Sequence, residues 1–395
     1  MRWSELPEAA RRYIIYHTIT SATLFTWFML PYYMLVSGIE VWEAGLLFTI
    51  IEAIGIPLSY FLGRVFTYVD ARKGVALIEL LEGLARVAYG MAYGVLGPFF
   101  LLAGMILDEI ADYFYPVYSI YERNVYPSDK MKGALSWHLR LPEFSILVSY
   151  PVWGVVLGVF YTDLSYIRLG FIFAGIISII LAAVVMVYLY PVKIAEKERE
   201  EIKISLSEVY GRLKLYLSIE IVFTLAWSIA PTLALVYYVI EVYKGNLLHV
   251  ALIEASISLA TVTATYIVDK ISEEKSFEAL QVGTLLVVFW VLSMVFSLPF
   301  IFLLAMFYIA RLGDTMVYVF KKKWYFSLIS EKEVAMVEGS LRSLKTAIWV
   351  LSPSIAGALA YINPRLPYLM SLVLFILLIV LYGIARLTES STRTK

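Results

Sequence analysis

Asp108, Glu109 and Asp112 fall within five residues of one another in LDEIADYFYP, residues 107–116. The ten residues before Asp108, PFFLLAGMIL, carry no charge. Carboxylates crowded into an apolar segment can hold a cation, exchange a proton, or pair with a buried base. At about 100° per residue all three fall within an arc of about 100°, so they share one helical face. A second constellation repeats the layout: EIAD, 109–112, aligns with RLGD, 311–314. Arg311 and Asp314 are thereby spaced i, i+3 on one face. A third pair, Glu52 and Glu254, sits in two copies of the tripeptide I-E-A.

Other chemistries are set aside. The chain has no cysteine, which rules out disulfides and thiolate ligands. Its three histidines, His17, His138 and His249, are far apart in sequence, so neither a zinc site nor a cofactor is expected. No GxxxxGK[ST] loop is present, so direct ATP use is not expected. The formal charge is zero, with no basic excess to attract nucleic acid.

The elements that must position these groups are membrane helices. Of 395 residues, 61% are hydrophobic and 16% charged, with a mean hydropathy of +0.79. Soluble domains are nearer half apolar and a quarter charged. A span needs about 20 mostly apolar residues. Twelve candidates fit, at roughly 13–36, 42–62, 75–96, 98–120, 134–160, 168–190, 214–240, 247–268, 277–297, 299–320, 334–360 and 366–386. The first is too long for a signal-peptide core and reads as an uncleaved span. Of the 32 Lys and Arg, 24 fall in one alternating set of loops and tails and only three in the other (Arg168, Lys244, Arg365). By the positive-inside rule both termini are expected in the cytoplasm of a cell-membrane protein. At about 1.5 Å per residue Asp108 lies about 15 Å from the outer end of its span, near mid-membrane. An acid facing lipid there costs at least about 2.5–3.5 kcal/mol, so the acidic face is expected to meet water or protein.

The chain also repeats itself. IEVWEAGLLFTIIEA, 39–53, recurs as IEVYKGNLLHVALIEA, 240–255. Trp27 and Pro31 recur as Trp227 and Pro231, and TYVD ending at Asp70 recurs as TYIVD ending at Asp269. The expected organisation is a six-helix bundle over 1–190, a charged cytoplasmic linker over 191–213, and a second six-helix bundle over 214–395.

Twelve spans in two repeated sets of six, with a charged central loop, resemble the major facilitator superfamily of secondary transporters. The loop GRVFTYVDARKG, 63–74, is similar to that family's signature after the second helix, with Gly63, Asp70, Arg72 and Lys73 supplying the residue types and a longer Gly–Asp spacing. VDKISEEK carries Asp269 in the second copy. Glu122, Pro127, Lys132 and Gly133 follow the fourth span, and Tyr150-Pro151-x-x-Gly154 lies on the fifth. The resemblance implies an all-α fold of two pseudo-symmetric bundles, with the first, fourth, seventh and tenth helices lining a central site. It implies a cytoplasmic latch at Asp70, Arg72, Lys73 and Asp269. Asp108, Glu109, Asp112, Arg311, Asp314, Glu52 and Glu254 are the expected substrate or proton residues.

The expected protein is a monomeric carrier in the lipid bilayer, moving a small solute by alternating access with protons as the coupling ion. Glu79, Glu82 and Arg86 on the third span are expected to pair and to snorkel toward headgroups. Two rival readings remain: a transport-inactive sensor or assembly factor on a carrier scaffold, and a magnesium-dependent membrane prenyltransferase, whose Asp-rich motif D-E-x-x-D resembles.

Overall fold

The computed structural model describes residues 2–65, 70–127, 131–192, 206–268, 270–329 and 334–393. Every regular element among them is a helix. The first span is two helices, α1 (Glu8–Ser21) and α2 (Thr26–Val36). α3 (Val41–Val65) and α4 (Ala71–Met91) follow. The fourth span is also divided, into α5 (Gly97–Phe114) and α6 (Pro116–Val125), and α7 (Met131–Val155) and α8 (Leu164–Tyr188) close the first half. The second half holds α9 (Leu206–Ser228), α10 (Thr232–Tyr243), α11 (Leu247–Val268) and α12 (Ser276–Val295). It ends with α13 (Phe300–Leu328), α14 (Val334–Ile362) and α15 (Leu366–Arg393). Ten helical stretches among the described residues are long and apolar enough to cross a membrane. The expected spans at 42–62 and 75–96 are not among the ten. They correspond to α3 and α4, of 25 and 21 residues. α4 carries Glu79, Glu82 and Arg86, and many α3 side chains lie outside the described residues.

The helix breaks have local causes. Between α1 and α2, Ser and Thr hydroxyls bond back to the backbone: Ser21 donates to His17 O, Thr23 to Thr20 O and Thr26 to Thr23 O. Such bonds compete with the helical ladder. The backbone there tightens to i→i−3 bonds, as in Thr23 N–H to Thr20 O at 2.9 Å. At Tyr115 the cause is Pro116, which has no N–H to offer the Asp112 carbonyl. Tyr115 N–H takes that carbonyl instead, at 3.2 Å. α9 and α10 part at Pro231 for the same reason. The repeated prolines therefore act differently: Pro231 opens α10, whereas Pro31 is accommodated inside α2.

The chain divides into two compact units. One is Met1–Ile39, Ile50–Glu198 and Asn246–Ala255; the other is Glu40–Thr49, Arg199–Gly245 and Ser256–Lys395. Most of the expected linker, 191–213, lies outside the described residues. The exchanged segments, 40–49 and 246–255, fall within the two copies of the longest sequence repeat. Within the first unit, Asn246 donates to Gly158 O at 2.6 Å, and Gly154 lies against Leu248 and Ala251. Within the second, Ser354 N–H reaches Thr49 Oγ1 at 3.1 Å, and Gly45 lies against Pro353 and Gly357.

Packing inside each unit repeats as well. α4 packs most extensively on α8 and α5, and its counterpart α12 on α15 and α13. α1 packs on α7, and α9 on α14. The main partner of α4 is thus remote in sequence, whereas that of α12 is its sequence neighbour α13. Two close backbone approaches are between glycines. A Cβ on Gly83 would sit 2.9 Å from Gly175 O, and one on Gly283 2.7 Å from Gly313 O. Gly83 and Gly283 occupy matching places in the two repeats, where only a missing side chain lets the backbones touch. Gly83→Val or Gly283→Val is expected to cost about 1–3 kcal/mol through overpacking. Gly211→Val, in open space, should cost far less. Thermal unfolding of the purified variants in detergent checks the contrast.

Candidate functional site

The first unit is built around a buried guanidinium. Arg86 on α4 is 1% exposed, and Glu79 and Glu82 on the same helix are 1% and 3% exposed. None of the three reaches a headgroup, so the snorkelling expectation is corrected. Burial is possible because each guanidinium nitrogen of Arg86 has a hydrogen-bond or ion-pair partner. It pairs with Glu82 one turn away, donates from Nε to Thr26 Oγ1 at 3.0 Å and from Nη1 to Thr23 Oγ1 at 3.4 Å, and reaches Ser178 Oγ on α8. Arg86 therefore fastens α4 to α8 and to the break between α1 and α2. Glu79 accepts from Tyr16 and Thr20, each at 2.6 Å, and Glu82 accepts from Tyr115 at 2.7 Å.

The acids of α5 border this network. Tyr89 donates to Asp108 Oδ2 at 3.2 Å, and Asp108 lies within electrostatic range of Glu82 and Arg86. Asp112, one turn on, is exposed, while Asp108 and Glu109 are half-buried. Asp112 lies within electrostatic range of Asp108 and Glu109 and near Tyr115. Glu109 lies near Tyr113 and within electrostatic range of Glu52 on α3. Glu254 belongs to the first unit and lies near Tyr150. The structure thus brings Asp108, Glu109, Asp112 and Glu52 together in one unit.

In the second unit Arg311 and Asp314 form the expected pair, Nη1 to Oδ2 at 2.8 Å, and Arg311 Nε donates to Thr261 on α11 at 2.9 Å. A stronger feature was not anticipated. Glu220 on α9, 2% exposed, holds Lys321 Nζ at 2.7 Å and also pairs with Lys345 of α14. Lys321 is itself only 6% exposed and lies over the Phe223 ring. The span expected to end at 320 is longer: α13 continues through Lys321, Lys322 and Lys323 to Leu328. Glu220 is a lone acid seven residues into an expected span, and its partners Lys321 and Lys345 lie far off in sequence on two other helices, so no local spacing marks it.

Two cavities differ in character. One in the first unit, of about 750 Å³, is lined by groups such as Ile19, Trp153, Leu169 and Phe173, and no charged side chain lines it. The other, in the second unit and of about 650 Å³, is lined by Glu220, Asp314, Lys321 and Lys345 together with Trp227 and Tyr318. It ends at the α9–α10 break, where Ala230, Pro231 and Thr232 form its wall. This cavity has the mixed polar and aromatic lining of a small-solute site.

At the start of α4, Asp70 caps the helix by accepting from Arg72 N–H at 3.0 Å, and also accepts from Val192 N–H at 2.9 Å. Arg72 pairs with Asp70 at 3.5 Å and donates to Met186 O beyond the middle of α8 at 2.9 Å. These groups lock α4 to the end of α8 inside one unit. Lys73 is exposed, and Asp269 lies outside the described residues. The histidines held another surprise. His17 and His138, remote in sequence, meet beside Glu122 in the first unit. His249 hydrogen-bonds with Asn246 at the start of α11.

No family model and no curated protein matches the sequence. Solved structures do match. A bacterial homologue of the iron transporter ferroportin in an inward-facing state superposes with a TM-score of 0.70 at 14% identity, covering 95% of this chain and 97% of the other. A POT family transporter in complex with a thioalcohol-conjugated peptide gives 0.64 at 13% identity, over 98% and 95%. The nucleoside transporter NupG gives 0.64 at 11% identity, over 95% and 98%. The chain has the fold of these membrane transporters. The resemblance of the sequence to the major facilitator superfamily therefore holds at the level of the fold, in a multi-pass membrane protein.

Removing Glu220 leaves two ammonium groups without their carboxylate, one of them buried. Glu220→Ala is expected to lower stability by about 3–5 kcal/mol. Converting Glu220 and Lys321 together to Met should recover most of that loss, because the pair is replaced by apolar groups of similar volume. Chemical unfolding of the single and double variants in detergent measures the difference.

Proposed function

We propose that the protein is a secondary transporter that moves a small polar solute by alternating access, coupled to protons. The observation that carries this reading is the amount of charge held inside the helices of both units. Arg86, Glu79 and Glu82 are buried in one, with Asp108 half-buried beside them, and Glu220 and Lys321 are buried in the other, with Asp314 and Arg311 partly buried. Ionisable groups at such depth are costly, and they mark substrate and ion pathways in membrane proteins. A merely structural scaffold would be cheaper in apolar side chains.

In this reading the second unit's cavity receives the solute. Lys345 and Asp314 offer opposite charges, and Trp227 and Tyr318 provide flat apolar surface. Asp108, Glu109 and Asp112 carry the proton, with Glu52 and Glu254 as further acids along the route. Arg311 remains charged and serves as the counter-ion of Asp314. Asp70, Arg72, Lys73 and Asp269 form the cytoplasmic latch. Twelve spans in two bundles, cytoplasmic termini and a monomer in the cell membrane complete the proposal.

The neighbours in fold, among them transporters of metal, peptide-like and nucleoside cargo by their names, support transport over catalysis. The prenyltransferase reading requires a second Asp-rich motif, but α13 presents Asp314 already closed against Arg311. Reconstituted protein tests the coupling. A thermal-shift screen of sugars, amino acids, organic acids and cationic drugs first identifies a solute. With that solute, Asp108→Asn and Asp112→Asn should abolish uptake driven by a pH gradient while the protein remains folded. Undiminished proton-driven uptake in both variants and in Glu109→Gln would sink the assignment of the proton to α5.

A further inference from the structure

The cluster of His17, Glu122 and His138 has no role in the transport reading. We infer that it is a binding site for a divalent first-row transition-metal ion, of which Zn²⁺ is the natural probe. The three residues come from three helices of the first unit, α1, α6 and α7. One ligand atom from each lies within 4.8 Å of the other two. The His138 Nε2 and Glu122 Oε1 atoms are 3.7 Å apart, and the two imidazole rings stand 4.7 Å apart between centroids. Zinc bonds to nitrogen and oxygen are about 2.0–2.2 Å, which puts tetrahedral ligand atoms about 3.4 Å from one another. The set is thus a small side-chain adjustment away from coordination, with no helix movement needed.

The surroundings orient the ligands. Tyr126 Oη lies 2.6 Å from His138 Nδ1, so that nitrogen is engaged and Nε2 is left to face Glu122. Tyr13 donates to Glu122 Oε1 at 3.3 Å. Hydrogen-bonded outer partners of this kind fix the ring orientation in histidine metal sites. The second, independent observation is His17. Its Nε2 is buried and has no hydrogen-bond partner among the described residues. An unsatisfied buried ring nitrogen costs free energy, and a metal ion is the partner that would satisfy it. Tyr13, Tyr16 and Tyr118 pack edge-on around the His17 ring, forming an aromatic wall that holds it toward His138.

Two imidazoles and one carboxylate suit zinc, iron, cobalt or nickel better than magnesium or calcium, which prefer all-oxygen sites. Three protein ligands leave a fourth position open, as in exchangeable rather than closed structural sites. Occupancy would tie α1 to α6 and α7, close to the predicted cytoplasmic ends of their spans.

The test uses the full chain, purified in detergent without a polyhistidine tag and stripped with chelator. Isothermal titration with Zn²⁺ is expected to show one ion per chain at this site. His17→Ala, Glu122→Gln and His138→Ala should each weaken it at least tenfold, while His249→Ala, outside the cluster, leaves it unchanged. Co²⁺ bound to the unaltered protein should show the intense visible bands of a low-coordinate imidazole site, a readout that stands even if a variant fails to fold. No binding by the unaltered chain overturns the proposal. So does binding unaffected by the three substitutions, or a Co²⁺ spectrum like that of the hydrated ion.

Discussion

A guanidinium can stay inside packed apolar helices only if its nitrogens find acceptors there. Each of the three nitrogens of Arg86 has one, among Glu82, Thr23, Thr26 and Ser178. Much of the first unit follows from it. The break between α1 and α2 is where two of the acceptors lie, so the break and the buried charge support each other. The contact with Ser178 sets α8 against α4, where Gly83 and Gly175 let the backbones touch. The carboxylates left over after Arg86 is satisfied, Glu79 and Asp108, take tyrosine and threonine hydroxyls instead.

The second unit solves the same problem with different residues. Its equivalent of α4, α12, has no buried arginine. A buried pair is instead made by Glu220 with Lys321, joined by the more exposed Lys345, and a partly exposed pair by Arg311 with Asp314. Duplication thus preserved the helix packing while the charges diverged.

Much of the architecture was legible in the sequence. The apolar runs marked the helices, because a span crossing lipid must satisfy its backbone internally and cover it with apolar side chains. The repeat was legible because both copies serve the same packing, seen where Gly45 meets Pro353 and Gly154 meets Ala251. The i, i+3 spacing of Arg311 and Asp314 foretold their ion pair, since helical geometry alone brings such residues together. The charges of α4 were misjudged because depth along a helix does not reveal which way a face turns. The same loss of direction hid Glu220 and the meeting of His17 with His138.

By itself, then, the sequence determined the helical class, most of the apolar spans, the internal repeat and the pairings of Glu82 with Arg86 and of Arg311 with Asp314 within one helical turn. These depend on local chain geometry and on the apolarity of a membrane. The tertiary structure decided which helices are partners, where the spans break, and which distant charges meet. Those depend on side chains about a hundred residues apart sharing one buried volume, where a polar group must find its partner across helices.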